Sequence, residues 1–411
     1  MTQVLIAGGG PAGLAAAIAA ARQGVETSLI ERYGFLGGMA TAGLVNPLMP
    51  WHANGQPLVA GIFQEMLNRM KARGGYGCER QPTAFDPEIF KVAADEMCHH
   101  AGVKLRLHTL VTDVVRDGEK IAALRTESKS GAEQWSAGLY IDCTGDADVA
   151  FRAGVPCDHG READHLAQPM TLNFRMADVD LDPMPDRTEI NRLFDQAKAE
   201  GRLNQPRENV LFFHTIRPGV VHFNTTRVVG LSGSNADDLT AAEVEARRQA
   251  HELAHFLVAR VPGFERAYLE QSGAQIGVRE SRRIHGHYTL TGDDVVLARK
   301  FPDGIARSNY PIDIHNPTGS GTVIREVPDG DYYEIPYRCL LPVGLDNLLV
   351  AGRCVSATHE GQASLRVMPQ CFAMGEAAGV AAAMAARQGI SPRRVSPEEL
   401  RQALRKQGQI V

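Results

Sequence analysis

The chain has 411 residues, 44% hydrophobic and 22% charged, with 41 glycines and 22 prolines. Length and balance place it among globular proteins of two or three folding units and exclude collagen-like and disordered classes. A formal charge of -5, with no long Lys/Arg run, argues against nucleic acid or an acidic membrane surface as main partner and points to a small ligand.

Taken in chain order, Gln3 to Ala7 is a short apolar run ending in glycines. Leu14 to Arg22 is an Ala-rich helical pattern, and Thr27 to Ile30 a second apolar run. This β-α-β alternation calls for a parallel sheet, because parallel strands need a crossover. Helical patterns follow at 59–73 and 87–100, the latter with Asp86 as N-cap and Pro87 in the first turn. Strands are expected at 104–108, 111–116, 121–128, 134–137 and 139–143, the middle three forming an antiparallel meander and the last rejoining the parallel sheet.

From about Val155 the texture changes to polar loops and strand pairs, with strands at 171–176, 210–215 and 220–226 and a helix at 240–260 whose predicted cap is Thr240, with Glu243 three residues on. The first texture returns with an apolar strand at 348–351 and an Ala-rich helix at 369–387. One domain is therefore expected from both chain ends, residues 1–154 and 336–411, with 155–335 inserted as a substrate or cap domain. The apolar stretches 4–21 and 375–386 read as buried parts of the fold: glycines and Pro11 break the first, and the second is short and carries Glu376. Seven cysteines without a C-x-x-C pair suit neither a disulfide framework nor a zinc ribbon, so a cytoplasmic protein without a metal site is expected.

Gly8-Gly9-Gly10-Pro11-Ala12-Gly13 follows a predicted strand and opens a helix, and Glu31 ends the next strand 18 residues after Gly13. A bare G-x-G-x-x-G is often only a glycine-rich turn. In register with strand, helix and acid it reads as a dinucleotide site: one glycine for the turn, one for amide approach to a pyrophosphate, one for helix packing, and the acid for ribose hydroxyls. The residues leave NAD and FAD open at this point.

Beyond the turn, Glu31-Arg32 leads to Gly37-Gly38-Met39-Ala40-Thr41, and here the chain resembles the glutathione-reductase-like FAD-binding superfamily. The resemblance implies FAD, held by these residues together with Val111 at the adenine and Thr144-Gly145-Asp146 after strand 139–143. At the other end it implies Gly352-Arg353 and Val367-Met368 beside the flavin, where a helix N-terminus would stabilise negative charge. Relatives carry Gly-Asp where this chain has Gly352-Arg353. Tyr33 to Thr41, Gly277 to Arg283, Pro311 to His315, and Ser356 to Glu360 with Arg366 to Pro369 are similar to the FAD-dependent oxidoreductase family related to fumarate-reductase and succinate-dehydrogenase flavoproteins. The implied fold is α/β: a Rossmann-like FAD-binding domain with a parallel sheet and a small antiparallel meander, plus an inserted α+β cap.

Flavin would carry the electron step, so protein groups must bind substrate and move a proton. His359 is the candidate base, because imidazole titrates near neutrality, and Arg366 or Arg279 the candidate anchor for a carboxylate or carbonyl. Each has a plainer reading: His359 as a satisfied core residue, Arg366 as partner of Glu360 or of cofactor phosphates, Arg279 as partner of Glu280. Strand-like alternation over Arg279 to Arg283 puts some of those arginines in solvent. His315, between Pro311 and Pro317, reads as structural. No second dinucleotide fingerprint or cysteine pair is present, which argues against a pyridine-nucleotide disulfide reductase.

The expected reaction is therefore oxidation, or in reverse reduction, of a small organic molecule held between FAD and cap, by hydride transfer to flavin N5. Electrons would leave to oxygen, a quinone or a carrier protein. The alternatives are a monooxygenase using NAD(P)H and oxygen, and a non-catalytic dinucleotide-binding protein.

Overall fold

The computed structural model describes residues 2–411. Strand β1 (Val4–Ala7), helix α1 (Pro11–Arg22) and strand β2 (Thr27–Ile30) form the expected crossover, with Pro11 in the first helical turn, where its missing N–H is harmless. Helices α2 (Ile62–Ala72) and α3 (Pro87–Ala101) follow, and Asp86 caps α3 by accepting from the Glu88 N–H at 2.8 Å. Next come β3 (Lys104–Arg106), β4 (Thr109–Asp117), β5 (Lys120–Ser128), β6 (Gly131–Trp135) and β7 (Leu139–Asp142). Strand β3 stops two residues short of the sequence expectation, since His108 turns the chain at a φ of 53°.

Past the meander lie β8 (Phe174–Ala177), β9 (Phe212–His214), β10 (Val221–Phe223), α4 (Ala236–Arg260) and β11 (Tyr268–Ser272). Helix α4 starts earlier than the pattern suggests. Asn235, not Thr240, is the cap, accepting from the N–H groups of Asp237 and Asp238 at 2.9 and 3.0 Å, and two acids in the first turn suit the helix dipole. Thr240 donates back to the Ala236 carbonyl inside the helix, and Glu243 accepts from the Ile276 N–H. The chain continues through β12 (Ile312–His315), β13 (Thr322–Arg325), β14 (Leu348–Val350), α5 (His359–Leu365) and α6 (Met368–Gln388).

Three sheets matter for the site. A five-stranded parallel sheet has the order β14-β7-β1-β2-β3, and the meander pairs as β6-β5-β4. The third sheet is antiparallel in the order β9-β10-β8-β11. Its alternate residues Phe174, Met176, Phe212, Val221 and Phe223 join α4 in one apolar core, so Arg175, Phe213 and His222 face the other way. The largest core draws on residues up to Val155 and from Ile284 onward.

The Ala/Gly stretches of α1 and α6 explain each other. A Cβ on Gly375 would stand 2.0 Å from the Ala12 carbonyl oxygen, and one on Gly379 would stand 2.2 Å from that of Ala16. Only hydrogen at these positions lets the two helices cross so closely, and the crossing brings segments over 350 residues apart against the same end of the parallel sheet. Among the described residues no helix is long and apolar enough to cross a membrane.

Candidate functional site

The carboxyl ends of β1, β2, β7 and β14 open onto one trough, as expected at the edge of a doubly wound sheet. At its centre the chain turns at Gly8, with a φ of 95°, where a Cβ would meet the Cys143 carbonyl oxygen at 2.5 Å. A Cβ on Gly13 would lie 1.7 Å from the Gly8 carbonyl oxygen, so α1 can start this close to the strand only with glycine there. Gly10 precedes α1 without any side-chain cap, which leaves the first-turn N–H groups for an outside acceptor. Gly38, with a φ of 49°, closes over Gly10 so tightly that a Cβ would sit 2.8 Å from the Gly10 Cα. Two bare backbones and an uncapped helix start fit the pyrophosphate of a dinucleotide.

Glu31 is buried at the end of β2, accepting from the Gly9 N–H at 2.6 Å and from the Tyr33 N–H at 2.9 Å. Burial raises its pKa, outweighing those two bonds. Its outer cavity is completed by Arg32, Val111 and Thr144. The central cavity shares Gly8, Glu31, Arg32 and Thr144 and adds Gly10, Pro11, Ala12, Gly38 and Met39, with Gly145, Asp146, Gly352, Arg353 and Met368 on the opposite wall. Gly37, Ala40 and Thr41 stand behind this lining, where Thr41 Oγ1 donates to the Leu36 carbonyl at 2.8 Å. Asp142, fully buried at the end of β7, builds the Thr144–Asp146 wall: it accepts from the Thr144 hydroxyl at 2.7 Å and from the Val149 and Ala150 N–H groups at 2.9 Å. Arg353 donates to Asp146 Oδ1 at 2.7 Å, so a carboxylate from the loop after β7 lies beside it.

Met39, Arg353, Arg366 and Met368 also line a third, inner cavity under the antiparallel sheet, with Val367 at the start of α6. Its lining is part apolar (Val45, Met49, Phe213, Val278) and part polar. Arg279 is pinned there, donating to the Pro169 carbonyl at 2.8 Å, Thr171 Oγ1 at 2.5 Å and Asn224 Oδ1 at 3.2 Å. Burial, then the cations of Arg366 and Arg207, push its pKa well down. Arg366 reaches the Asp313 carbonyl at 3.4 Å and the Asp313 carboxylate at 3.8 Å, while its buried Nε has no partner. Asn46 Oδ1 and Asn173 Oδ1 are likewise buried and unpartnered on this lining.

Asp313 is the only acid on that lining among the described residues. Its Oδ2 accepts from the Tyr310 hydroxyl at 2.8 Å, and its Oδ1 lies 3.6 Å from His315 Nε2. Burial works to raise the Asp313 carboxyl, but the His315 contact, Arg366 and the Tyr310 bond together hold it well below the usual carboxylate range. His315 is lowered to about 3 by burial and by Arg279, so its imidazole is neutral. Tyr310 is raised by burial and by Asp313 and keeps its proton.

The structure thus brings Arg279 and Arg366 into one cavity but places His359 outside its lining. His359 Nδ1 stands 2.9 Å from Glu280 Oε1, in a buried group with Arg283, which also bonds Glu280. Burial acts to raise the Glu280 carboxyl, yet His359 and Arg283 hold it below its ordinary value. The 279–283 arginines do not alternate into solvent: Arg282 bonds Asp148 at 2.5 Å and Arg283 is buried on Glu280. Sequence reasoning missed Tyr310, Asp313, Asn46 and Asn173 and took His315 as structural. Only period-2 spacing of Asp313 and His315 in β12 hints at a shared face.

A family model described as FAD dependent oxidoreductase matches residues 3–404. The chain is also similar to three solved structures. One is p-nitrophenol 4-monooxygenase of Pseudomonas putida (12% identity over 96% of this chain and 82% of that one, TM-score 0.49). Another is a geranylgeranyl bacteriochlorophyll reductase-like protein of Thermoplasma acidophilum (14%, 98% and 82%, TM-score 0.45). The third is the flavin-dependent brominase Bmp2 (15%, 98% and 83%, TM-score 0.47).

Proposed function

Because the chain belongs to the FAD-dependent oxidoreductase family, we propose that it oxidises, or in reverse reduces, a small organic anion, most simply a carboxylate, in the inner cavity beneath the β9-β10-β8-β11 sheet. The observation that carries this reading is the charge on the lining: Arg279 and Arg366 face one acid, Asp313, and the Arg366 Nε has no partner. A buried cation with unmet donors costs free energy that an incoming carboxylate recovers. On this reading residues 1–154 and 336–411 carry the cofactor, and within 155–335 the part that builds the β9-β10-β8-β11 sheet and α4 covers it, while residues from Ile284 pack into the cofactor-side core.

Gly8 to Gly13, Glu31, Arg32, the Gly37–Thr41 segment, Val111, Thr144–Asp146, Gly352, Arg353, Val367 and Met368 would hold FAD. When bound, FAD supplies two-electron acceptance or donation. The chain's own residues do the rest. Arg366 and Arg279 orient the anion, Asn46 and Asn173 offer acceptors to a substrate hydroxyl or amine, and the apolar lining residues exclude water. Proton handling falls to Tyr310 and Asp313 rather than to His359. The Tyr310 hydroxyl donates to Asp313 and so turns its oxygen lone pairs away from that carboxylate. It takes a proton from substrate as its own passes to Asp313, and the reverse relay serves reduction.

Anaerobic mixing of the yellow protein with a panel of carboxylates, alcohols, amines and neutral aromatics, read at the flavin absorbance near ~450 nm, tests this. Bleaching confined to anionic compounds is the expected result. Bleaching by neutral compounds alone would sink the reading.

A further inference from the structure

The reading above gives Asp313 a task it can perform only as an anion with both oxygens correctly occupied, and a residue outside the cavity lining decides that. Arg227 is 1% exposed and follows β10. Its backbone is fixed on both sides by one amide of α4: the Arg227 N–H donates to Gln249 Oε1 at 2.8 Å, and Gln249 Nε2 donates to the Arg227 carbonyl at 3.0 Å. The guanidinium is equally constrained. Nη1 donates to the carbonyls of Gly319 and Gly321 at 2.7 and 3.2 Å, in the loop joining β12 to β13, and lies 3.3 Å from Glu208 Oε2. Nη2 stands 3.2 Å from His315 Nδ1.

Arginine has no acceptor, so the Nη2 contact is a hydrogen bond only if Nδ1 carries a lone pair. In a neutral imidazole the proton then sits on Nε2, which is the nitrogen facing Asp313 Oδ1. An N–H there supports the anion, whereas a lone pair would repel it and favour a protonated carboxyl. A protonated Asp313 would no longer serve as the acceptor for the Tyr310 proton.

We propose that Arg227 is a positioning residue: by holding His315 as the Nε2–H tautomer it keeps Asp313 ionised and open to the Tyr310 proton. The inference rests on the assignment of Tyr310 and Asp313 to proton handling, but its test needs no substrate. Holoenzyme carrying isotopically labelled histidine reports the His315 tautomer by nitrogen NMR, assigned with His315→Asn. The infrared carbonyl band of a protonated acid, assigned with Asp313→Asn, reports the charge of Asp313.

The native protein is expected to show Nε2–H and no Asp313 acid band at neutral pH. Arg227→Met should move the tautomer ratio by about tenfold or more, the bias of one charge-assisted bond, and raise the pH at which the band appears by up to about one unit per tenfold. Arg227→Gln, whose amide can still donate to Nδ1, should largely restore the native spectrum. An Nδ1–H tautomer in the native protein overturns the proposal even if Arg227→Met does not fold. So does an Arg227→Met protein with an unmoved tautomer, or one whose tautomer changes while the pH at which the Asp313 band appears does not move. A native spectrum as expected, beside a flavin that no anion bleaches, would instead sink the functional reading.

Discussion

Replacing Arg366 by methionine separates anion binding from architecture. The side chain is 14% exposed, and its contacts in the fold are a bond to the Asp313 carbonyl at 3.4 Å and an ion pair to the Asp313 carboxylate at 3.8 Å. Against these stands repulsion from Arg279, whose pKa is pushed down by burial and next by Arg366 itself. Removing the charge should therefore leave the melting temperature unchanged or slightly raised, unlike the usual loss of a buried ion pair. Binding should suffer instead. A charge-assisted bond to a carboxylate is worth about 1.5–3 kcal/mol, or about 10- to 150-fold in Kd. Titrating benzoate or acetate into the holoenzyme and following the shift of the flavin band measures it. Arg366→Lys should recover only part of the affinity, because an ammonium lacks the planar fork. An unchanged Kd in Arg366→Met, with the anion still bound, would refute the anchoring argument.

Four further outcomes follow from the site and its supports. Tyr310→Phe should slow flavin bleaching by a bleaching carboxylate about 10²- to 10⁴-fold with little change in its Kd, as stopped-flow absorbance would show. Gly13→Ala sets a methyl 1.7 Å from the Gly8 carbonyl oxygen, and should yield protein destabilised by about 3 kcal/mol or more that purifies without yellow colour. Arg283→Met leaves Glu280 with His359 and the Gln168 N–H as partners and frees the Ala357 and Gly160 carbonyls, and chemical denaturation should show a loss of about 1–3 kcal/mol. Glu376 is buried in α6, accepting from the Ile62 N–H at 3.0 Å, and burial raises it to about 7 from an ordinary 4.5. The folded state then holds that proton more tightly than the unfolded one, so this group's contribution is favourable in acid and is lost as pH rises from about 4.5 to about 7. Glu376→Gln should therefore gain up to about 3 kcal/mol on the native protein between pH 5 and pH 8, read from paired unfolding curves.

What could be read in the residues was what a local constraint writes there. Gly8, Gly10 and Gly13 with Glu31 are fixed by dihedrals and close approaches within one β-α-β unit, so strand, turn, helix and acid appear in order along the chain. The Ala/Gly stripe of α6 was legible as a helix, and its partner α1 explains its composition only in three dimensions. The Tyr310–Asp313–His315 group was hidden because its meaning depends on Arg279, Arg366 and Arg227 arriving from distant segments. The surroundings of His359 were hidden for the same reason, since Glu280, 2.9 Å from its Nδ1, arrives from a distant segment. At the start of α4 the residue pattern points to Thr240 as the cap, whereas Asn235, followed by two acids, caps the helix five residues earlier.

The crossing of α1 and α6 also sets an order of events during synthesis. The glycine turn and Glu31 leave the ribosome early, but the wall made by Gly352, Arg353 and Met368 is translated more than three hundred residues later. A nascent or prematurely terminated chain therefore carries the Gly8–Gly13 half of the groove with nothing to shut against it, and the groove is complete only once residue 368 has left the ribosome.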